Sequence, residues 1–380
     1  MSKIKFYFIV SMAMIAISSC NKNDDNIEIT PPRDLAEQYK VDIVAIEDYL
    51  NTSYLKEVVD APGTPEDQDV ILAKIPAGET HPSLMSYLDS PTLPRLTSRI
   101  VHIGDVDYKV YTLLIREGVA GGTDPSKLTG GERPCNVDAV YAGYKGTLLD
   151  GTQFDASNSG QVQYNLDGSS TSGGVGVIRG WSEGFPQFKT GWTSSKADGT
   201  VSYNDFGVGV MFLPSAMGYY NNTQSDIPAY SPLVFSIKLY SLKRFDQDAD
   251  GIPSYQEDLN NDGYMYYFAT ADIAKNPDDT DKDGLPDYGD FDDDGDDYAT
   301  RGEIKDDKGT YYPYDGAVVD DPQTPDINES YGIPRKYTGP LKNPNLPESS
   351  TNKRTPQDSD FTDPTRLRRH LDPTCFPPYK

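Results

Sequence analysis

A chain of 380 residues with 36% hydrophobic residues, 33 Gly, 29 Pro and 27 Tyr is long enough for two or more domains, yet too polar to bury itself as one large core. Its formal net charge is −25, and the Asp residues are concentrated between Asp246 and Asp307. A field of that sign repels nucleic acid and anionic lipid headgroups, which argues against both as partners and for cations.

The chain opens on an export signal. Lys3 and Lys5 give a positive start, and Phe6 to Ile17 form an apolar run too short for a stable membrane span. No later run is long enough to span a bilayer. Ile17-Ser18-Ser19-Cys20 matches a bacterial lipobox, so residues 1–19 read as a lipoprotein signal peptide and Cys20 as the lipidated residue, held in a membrane by acyl chains. Residues 20–33 form a tether that ends at Pro31-Pro32. Asn21 is not the aspartate that retains lipoproteins at the inner membrane. Lys22-Asn23-Asp24-Asp25 resembles the surface-export signal of lipoproteins from the Bacteroidetes group. The expected location is therefore the outer membrane, facing the periplasm or the cell surface. Cys135 and Cys375 remain as thiols in an oxidising compartment, where a disulfide between them is expected. His81, His102 and His370 are scattered and offer no zinc spacing.

Residues 34–104 read as an N-terminal extension. Leu35 to Leu50 has no internal Gly or Pro, and Leu35, Tyr39, Val41, Ile43, Val44, Ile46, Tyr49 and Leu50 broadly track one helical face. Residues 105–242 read as a sheet-rich domain. Asp107 to Ile115 is a strand, Gly118 to Pro134 a loop and Val137 to Tyr144 a second strand. Tyr144 to Asp155 then reads as strand, Asp150-Gly151 turn and return strand, headed by Phe154. After it come Val177-Ile178-Arg179-Gly180-Trp181, a polar insertion from Trp192 to Phe206, a strand Gly209 to Pro214, the turn Ser215 to Tyr219, and a closing strand Leu233 to Leu239.

The ordered motifs Y-x-G-x-L-x-D-G-x-x-F-D and V-I-x-G-W resemble the FKBP-type peptidyl-prolyl isomerases. That resemblance implies an α+β fold, a half-opened antiparallel sheet around one short helix starting near Gly180-Trp181. It also implies a proline pocket of Tyr144, Phe154, Asp155, Val177, Ile178, Trp181, Tyr219, Ile227 and Phe235. Trp181 would be its floor, Phe154 and Phe235 its walls. The N–H of Ile178 and the hydroxyl of Tyr219 would bind peptide carbonyls, and Asp155, on the buried side, would accept from Tyr144. The physics suits such an inventory: rotating an X-Pro bond needs no nucleophile, only a dry cleft that fits the twisted amide better than the planar one. Three features depart from the family. The aromatic of the bulged strand falls on Val162 or Tyr164, the loop before Val177 is lengthened by Ser169 to Gly174, and Tyr220 to Asp226 is polar.

Residues 243–307 carry a second pattern. Asp246, Asp248, Asp250, Ile252 (through its carbonyl) and Glu257 fit a twelve-residue calcium loop, D-x-D-x-D-G-x5-E. Asp279, Asp281, Asp283, Asp287 and Asp290 repeat it; Asp292, Asp294, Asp296 and Glu303 form another, with Asp297 in the glycine slot. Asp258, Asn260 and Asp262 begin a partial one that has Ala269 at its last position. The loops abut without room for helices, and the array resembles thrombospondin type 3 repeats. Ca2+ is thus the expected ion, structural and not catalytic, in a segment of little regular structure that chelation should unfold while the isomerase-like domain keeps its core. The aromatic stretch Tyr264 to Ala274 interrupts the array without an assigned role. Residues 308–380, rich in Pro and Tyr with basic Arg366 to Arg369, read as an extended or disordered tail. The whole suggests a prolyl isomerase acting on proline-containing polypeptides of the envelope. The alternative is a non-catalytic binding or adhesion module of the same fold on a calcium-stiffened stalk.

Overall fold

The computed structural model describes residues 31–122, 129–170, 173–195, 198–306, 309–314, 318–320, 328–330 and 332–375. The expected signal peptide, Cys20, the Lys22 to Asp25 signal and part of the Ser169 to Gly174 lengthening lie outside the described residues. The chain divides into residues 1–34 and 35–380, and the second unit holds all that follows. Among the described residues no helix is long and apolar enough to cross a membrane.

Helix α1 (Leu35–Thr52) buries Gln38, Asp42, Ile46 and Leu50, one residue every fourth position along a single face. Val41 and Val44, expected on the packed face, are instead 59% and 66% exposed. The helix attaches partly through a polar bond where the apolar count expects a valine. Gln38 Nε2 donates to Asp42 at 2.7 Å, and Asp42 accepts the Ser215 N–H at 2.8 Å and its hydroxyl at 2.6 Å. Strands β1 (Ser53–Val58) and β2 (Val70–Lys74) follow as an antiparallel hairpin.

The main sheet is built from β3 (Arg95–Ile103), β4 (Val106–Arg116), β5 (Ala139–Leu148), β6 (Gln153–Ser157), β7 (Gln163–Asn165) and β8 (Val175–Gly176), then, after helix α2 (Arg179–Gly184) and a small hairpin β9 (Trp192–Ser195) and β10 (Val201–Asn204), from β11 (Gly207–Leu213) and β12 (Leu233–Lys243). Its order is β3-β4-β11-β12-β5-β7-β8, with β6 also on β5. All these pairings are antiparallel except β7 with β8. The sheet begins at Arg95, within the segment read as a preceding extension. The free edge of β5 is shared: β7 pairs with Ala139 to Tyr141 and β6 with Tyr144 to Thr147, so the sheet splits there and opens a mouth.

Central strand β11 is buried at every residue. Met211 and Leu213 enter the core that holds α2, while Val208, Val210 and Phe212 enter a second core with Ile46 and Leu50 of α1 and Val70 of β2. A strand covered on both faces loses its alternation and reads as an unbroken apolar run, as Gly207 to Leu213 does. Helix α2 lies directly on this strand because Gly180 and Gly184 present no side chain to it. A Cβ on Gly180 would strike Leu213 Cδ1, and one on Gly184 would meet Met211 Sδ at 2.5 Å. Trp181, between them, is thereby set over the sheet.

Beyond β12 the chain has little regular structure: single turns at Ser254–Gln256, Ile273–Lys275 and Asp287–Gly289, and the short helix α3 (Thr300–Glu303). Two small apolar clusters anchor it, one of Cys135, Val137, Met265 and Tyr288, the other of Ile252, Ile304 and Ile333. A short pair β13 (Val318–Asp320) and β14 (Asn328–Ser330) precedes helix α4 (Asp358–Thr362), which is closed by a reciprocal Gln357–Asp360 cap. The basic residues near the end are used internally. Arg366 pairs with Asp360 at 2.9 Å, Arg368 lies 4.0 Å over the Tyr314 ring, and Arg369 donates to the Lys305 carbonyl. The expected disulfide is not formed: Cys135 and Cys375 are both free and buried. The Cys135 thiol donates instead to Asp138 at 3.1 Å, and burial with that carboxylate beside it raises its pKa well above the ordinary thiol value.

Candidate functional site

The nine residues expected to form the pocket line one cavity of about 480 Å³ at the split in the sheet. Strand β5 supplies Tyr144, β6 supplies Phe154 and Asp155, β12 supplies Phe235, and the segment into α2 supplies Val177, Ile178 and Trp181. Tyr219 and Ile227 come from the connection between β11 and β12. Trp181 is 4% exposed and lies at the centre of a ring cluster, with Tyr144 at 4.9 Å, Tyr164 at 5.1 Å, Phe185 at 5.3 Å and Phe235 at 5.4 Å, all edge-on. Phe154 meets Phe235 edge-on at 5.5 Å. Edge-to-face contacts of this kind fix ring orientation as well as burying area. Gly146 makes room for the wall, since a Cβ there would strike the Phe154 ring.

Between Val162 and Tyr164 the structure chooses Tyr164: it is buried in the cavity lining, whereas Val162 is exposed. Asp155, expected on the buried side, is exposed at the rim, and Asp226 is a second rim carboxylate. The Tyr144 hydroxyl donates to Asp155 Oδ2 at 2.6 Å. Burial, then this bond, holds that hydroxyl protonated far above the usual tyrosine range, and burial with the Asp155 charge raises Tyr219 as well. The Tyr219 hydroxyl and the Ile178 N–H have no acceptor among the described residues. These two donors stand open among aromatic walls, and the buried Trp181 Nε1–H likewise has no partner among the described residues. Its aromatic walls and open donors suit binding and desolvation of a peptide.

The acidic segment repeats one backbone shape four times. Positions 4 and 6 of each loop have positive φ: Ala249 and Gly251, Asn261 and Gly263, Lys282 and Gly284, Gly295 and Asp297. The side chain at position 3 accepts the N–H at position 5 in every loop, from Asp250 to Asp248 at 3.1 Å through to Asp296 to Asp294 at 3.3 Å. Carboxylates gather in three clusters, each with oxygens within 4.8 Å of one another: Asp248, Asp250, Glu257 and Asp293; Asp279, Asp281 and Asp283; Asp292, Asp294 and Asp296. Of the expected carboxylates, Asp246, Asp258, Asp262, Asp287, Asp290 and Glu303 are not in these clusters. Asp287 instead accepts the Thr280 N–H and hydroxyl, each at 2.8 Å. Asp293 was not expected from the loop pattern; its signal was a third consecutive aspartate where the pattern needs only the outer two. Burial first, then the neighbouring carboxylates, push Asp293 up to about 11, Glu257 up to about 10 and Asp248 up to about 8. Such crowding is what a hard divalent cation with oxygen ligands relieves.

The aromatic interruption has a structural task. Tyr264 donates to the Glu183 carbonyl at 2.8 Å and Tyr266 to the Glu183 carboxylate at 2.7 Å, on the helix that carries Trp181. Arg99 pairs with the same carboxylate and stacks 3.4 Å over Tyr264. Asn136 holds Met265 from both sides, donating to its carbonyl at 2.8 Å and accepting its N–H at 2.9 Å. The partial loop Asp258 to Gly263 therefore ends in a clamp on α2.

Comparison with known proteins bears on these two regions separately. The family model described as FKBP-type peptidyl-prolyl cis-trans isomerase matches residues 130–203, and one described as BamM C-terminal matches residues 247–326. The isomerase FkpA of Escherichia coli is 32% identical over 115 residues, 30% of this chain and 34% of FkpA, so the chain spans about a third of that relative's length. A crystal structure of FkpA covers 35% of this chain and 48% of its own, at 27% identity and a TM-score of 0.25. FK506-binding protein 1A of Aspergillus fumigatus is 33% identical over 109 residues, 29% of this chain but 81% of that protein. With that share of a whole relative matched, the chain belongs to the FKBP-type peptidyl-prolyl cis-trans isomerases.

Proposed function

We propose that the chain catalyses cis–trans rotation of X-Pro bonds in exported or envelope polypeptides, as a foldase or chaperone. The observation that carries this reading is the gathering of all nine expected residues in one aromatic cavity with open hydrogen-bond donors. A proline ring would rest on Trp181 between Phe154 and Phe235. The Ile178 N–H and Tyr219 hydroxyl would hold peptide carbonyls on either side. The amide then twists in a setting where loss of water raises the planar ground states relative to the transition state, against an uncatalysed barrier of roughly 18–20 kcal/mol. Tyr144, protonated and held by Asp155, would orient the field at the rim without exchanging a proton.

The lipobox at Cys20 supports attachment to a membrane, with the outer membrane facing the periplasm or the surface as its place. The three carboxylate clusters support Ca2+ as a structural ion after residue 246: Asp248, Asp250 and Glu257 in the first loop, Asp279, Asp281 and Asp283 in the second, Asp292, Asp294 and Asp296 in the third. Bound there, calcium would supply positive charge to a segment otherwise held by two small apolar clusters and the clamp on Glu183 and Asn136.

The test is a protease-coupled assay of the mature chain on a Leu-Pro peptide, with and without a macrolide inhibitor of this family. Acceleration that the inhibitor abolishes is expected. Inhibitor binding without acceleration would favour a binding module, a reading to which the polar rim of Gln224, Ser225 and Asp226 lends some support. Neither activity nor binding would end both.

A further inference from the structure

We propose that Asp293, from the third acidic loop, is a ligand of the cation held by the first, so that one divalent ion cross-links the two ends of the array. The inference deepens the calcium reading and rests on it. Its geometry is the first cluster: Asp248, Asp250 and Glu257 come from one loop, and Asp293 reaches them from 36 positions beyond Glu257. Asp292 and Asp294, on either side of Asp293, belong to the third loop's own cluster.

Burial gives the second, independent observation. Asp293 is 1% and Glu257 3% exposed, and neither oxygen of either carboxylate has a hydrogen-bond partner. Asp248 and Asp250 each present one further unpartnered oxygen to the same space. Among the described residues no Lys or Arg forms an ion pair with any of the four. Arg301, whose charge acts on Asp250, donates to the Ala249 carbonyl instead. Buried carboxylates left so are strongly unfavourable unless a cation joins them.

The loop pattern assigned the first position to Asp246, but that residue is exposed and accepts the Gly251 N–H at 3.2 Å. Asp293 adds a carboxylate to the three that this loop supplies to the cluster, and its own N–H is fixed on the Thr300 hydroxyl at 3.1 Å. Four carboxylates with no nitrogen or sulfur among them suit a hard ion of high coordination number, calcium or a lanthanide in its place. Chemically the ion then acts as a disulfide would, closing the chain between Glu257 and Asp293 into a ring that contains the second and the partial loop.

Terbium luminescence and calcium calorimetry on the mature protein test this, with Asp293→Asn, Glu257→Gln, their double variant and Asp281→Asn. Asp293→Asn should weaken one ion by about tenfold or more. Glu257→Gln should weaken the same ion, so that the double variant loses no second one, whereas adding Asp281→Asn should remove a different ion. Unchanged stoichiometry and affinities within about twofold in Asp293→Asn would overturn the inference while leaving the calcium reading intact. So would additive loss of two ions in the double variant. Absence of any cation binding by the unaltered protein would overturn the calcium reading itself. A terbium-loaded crystal needs no variant: an anomalous peak touching the Asp293 carboxylate supports the cross-link, and a peak in the first loop without it refutes it.

Discussion

Trp181 and Tyr219 separate two kinds of residue in the pocket. Trp181 meets four rings and is nearly fully buried, so Trp181→Ala would remove core as well as floor, at a cost of about 3–5 kcal/mol. Loss of activity in that variant would report folding as much as catalysis. Tyr219→Phe is cleaner, because its hydroxyl bonds to nothing else among the described residues. If that hydroxyl binds a peptide carbonyl, kcat/KM on a Leu-Pro peptide should fall about 3–10-fold, the worth of one neutral hydrogen bond, with an unchanged melting temperature. An unchanged kcat/KM would remove Tyr219 from the site. These aromatics were legible in the sequence because they stand at the matching positions of the motifs that carry the family resemblance. Tyr164 was not, since a three-residue strand cannot show which of two near neighbours faces in. The burial of Asp155 was misjudged for a related reason: β6 is an edge paired only through four residues of β5, and an edge leaves its acid in solvent.

At the level of elements, α2 is placed by the absence of side chains. Gly180→Ala adds a methyl against buried Leu213, and overpacking of about 1–3 kcal/mol should exceed the gain of about 1 kcal/mol in helix propensity. Thermal melting should therefore show destabilisation, with inhibitor affinity falling as Trp181 is displaced; a rise in melting temperature would show that the helix can lift off β11 at no cost. The α1 face was misread because hydropathy cannot foresee a buried carboxylate that finds a serine across the fold. In the C-terminal region, His370 is buried beside Arg368 and Arg369, with Tyr314 as its ring neighbour at 6.4 Å. Burial, then those two charges, lowers its pKa from 6.5 to about 3. The unfolded chain thus binds a proton that the folded one refuses between those values, so this contribution is complete above pH 6.5 and is lost as pH falls toward 3. Proteolytic protection of residues 332–375 should weaken over that window, and His370→Gln should weaken less steeply; identical pH profiles would exclude His370 as the cause.

Across the whole molecule, the sequence suggested an isomerase domain indifferent to the fate of its acidic extension. The clamp changes that expectation. Composition and loop spacing describe each segment separately, and neither can show that Tyr264 and Tyr266 end on Glu183 of the helix that carries Trp181. If cations hold the array, EDTA should release three contacts on Glu183 and Asn136 together. The isomerase domain should then melt several degrees lower, at about 2–4 °C for each kcal/mol lost, and turn over peptide more slowly. Tyr266→Phe should reproduce part of the shift without chelation. A melting transition of the domain that ignores EDTA would restore the independent picture.

The bond from Asp42 to Ser215 also has a mechanical side. Helix α1 is the first element of the folded unit, and its carboxylate grips the turn four residues before Tyr219. Tension applied at the N-terminus would load this latch before it reached the ladder between β11 and β12. Under a pulling force the first yield should therefore be a small extension that slackens the Tyr219 wall while the sheet stays zipped. Asp42→Asn should lower the force of that first step and leave the main rupture where it was.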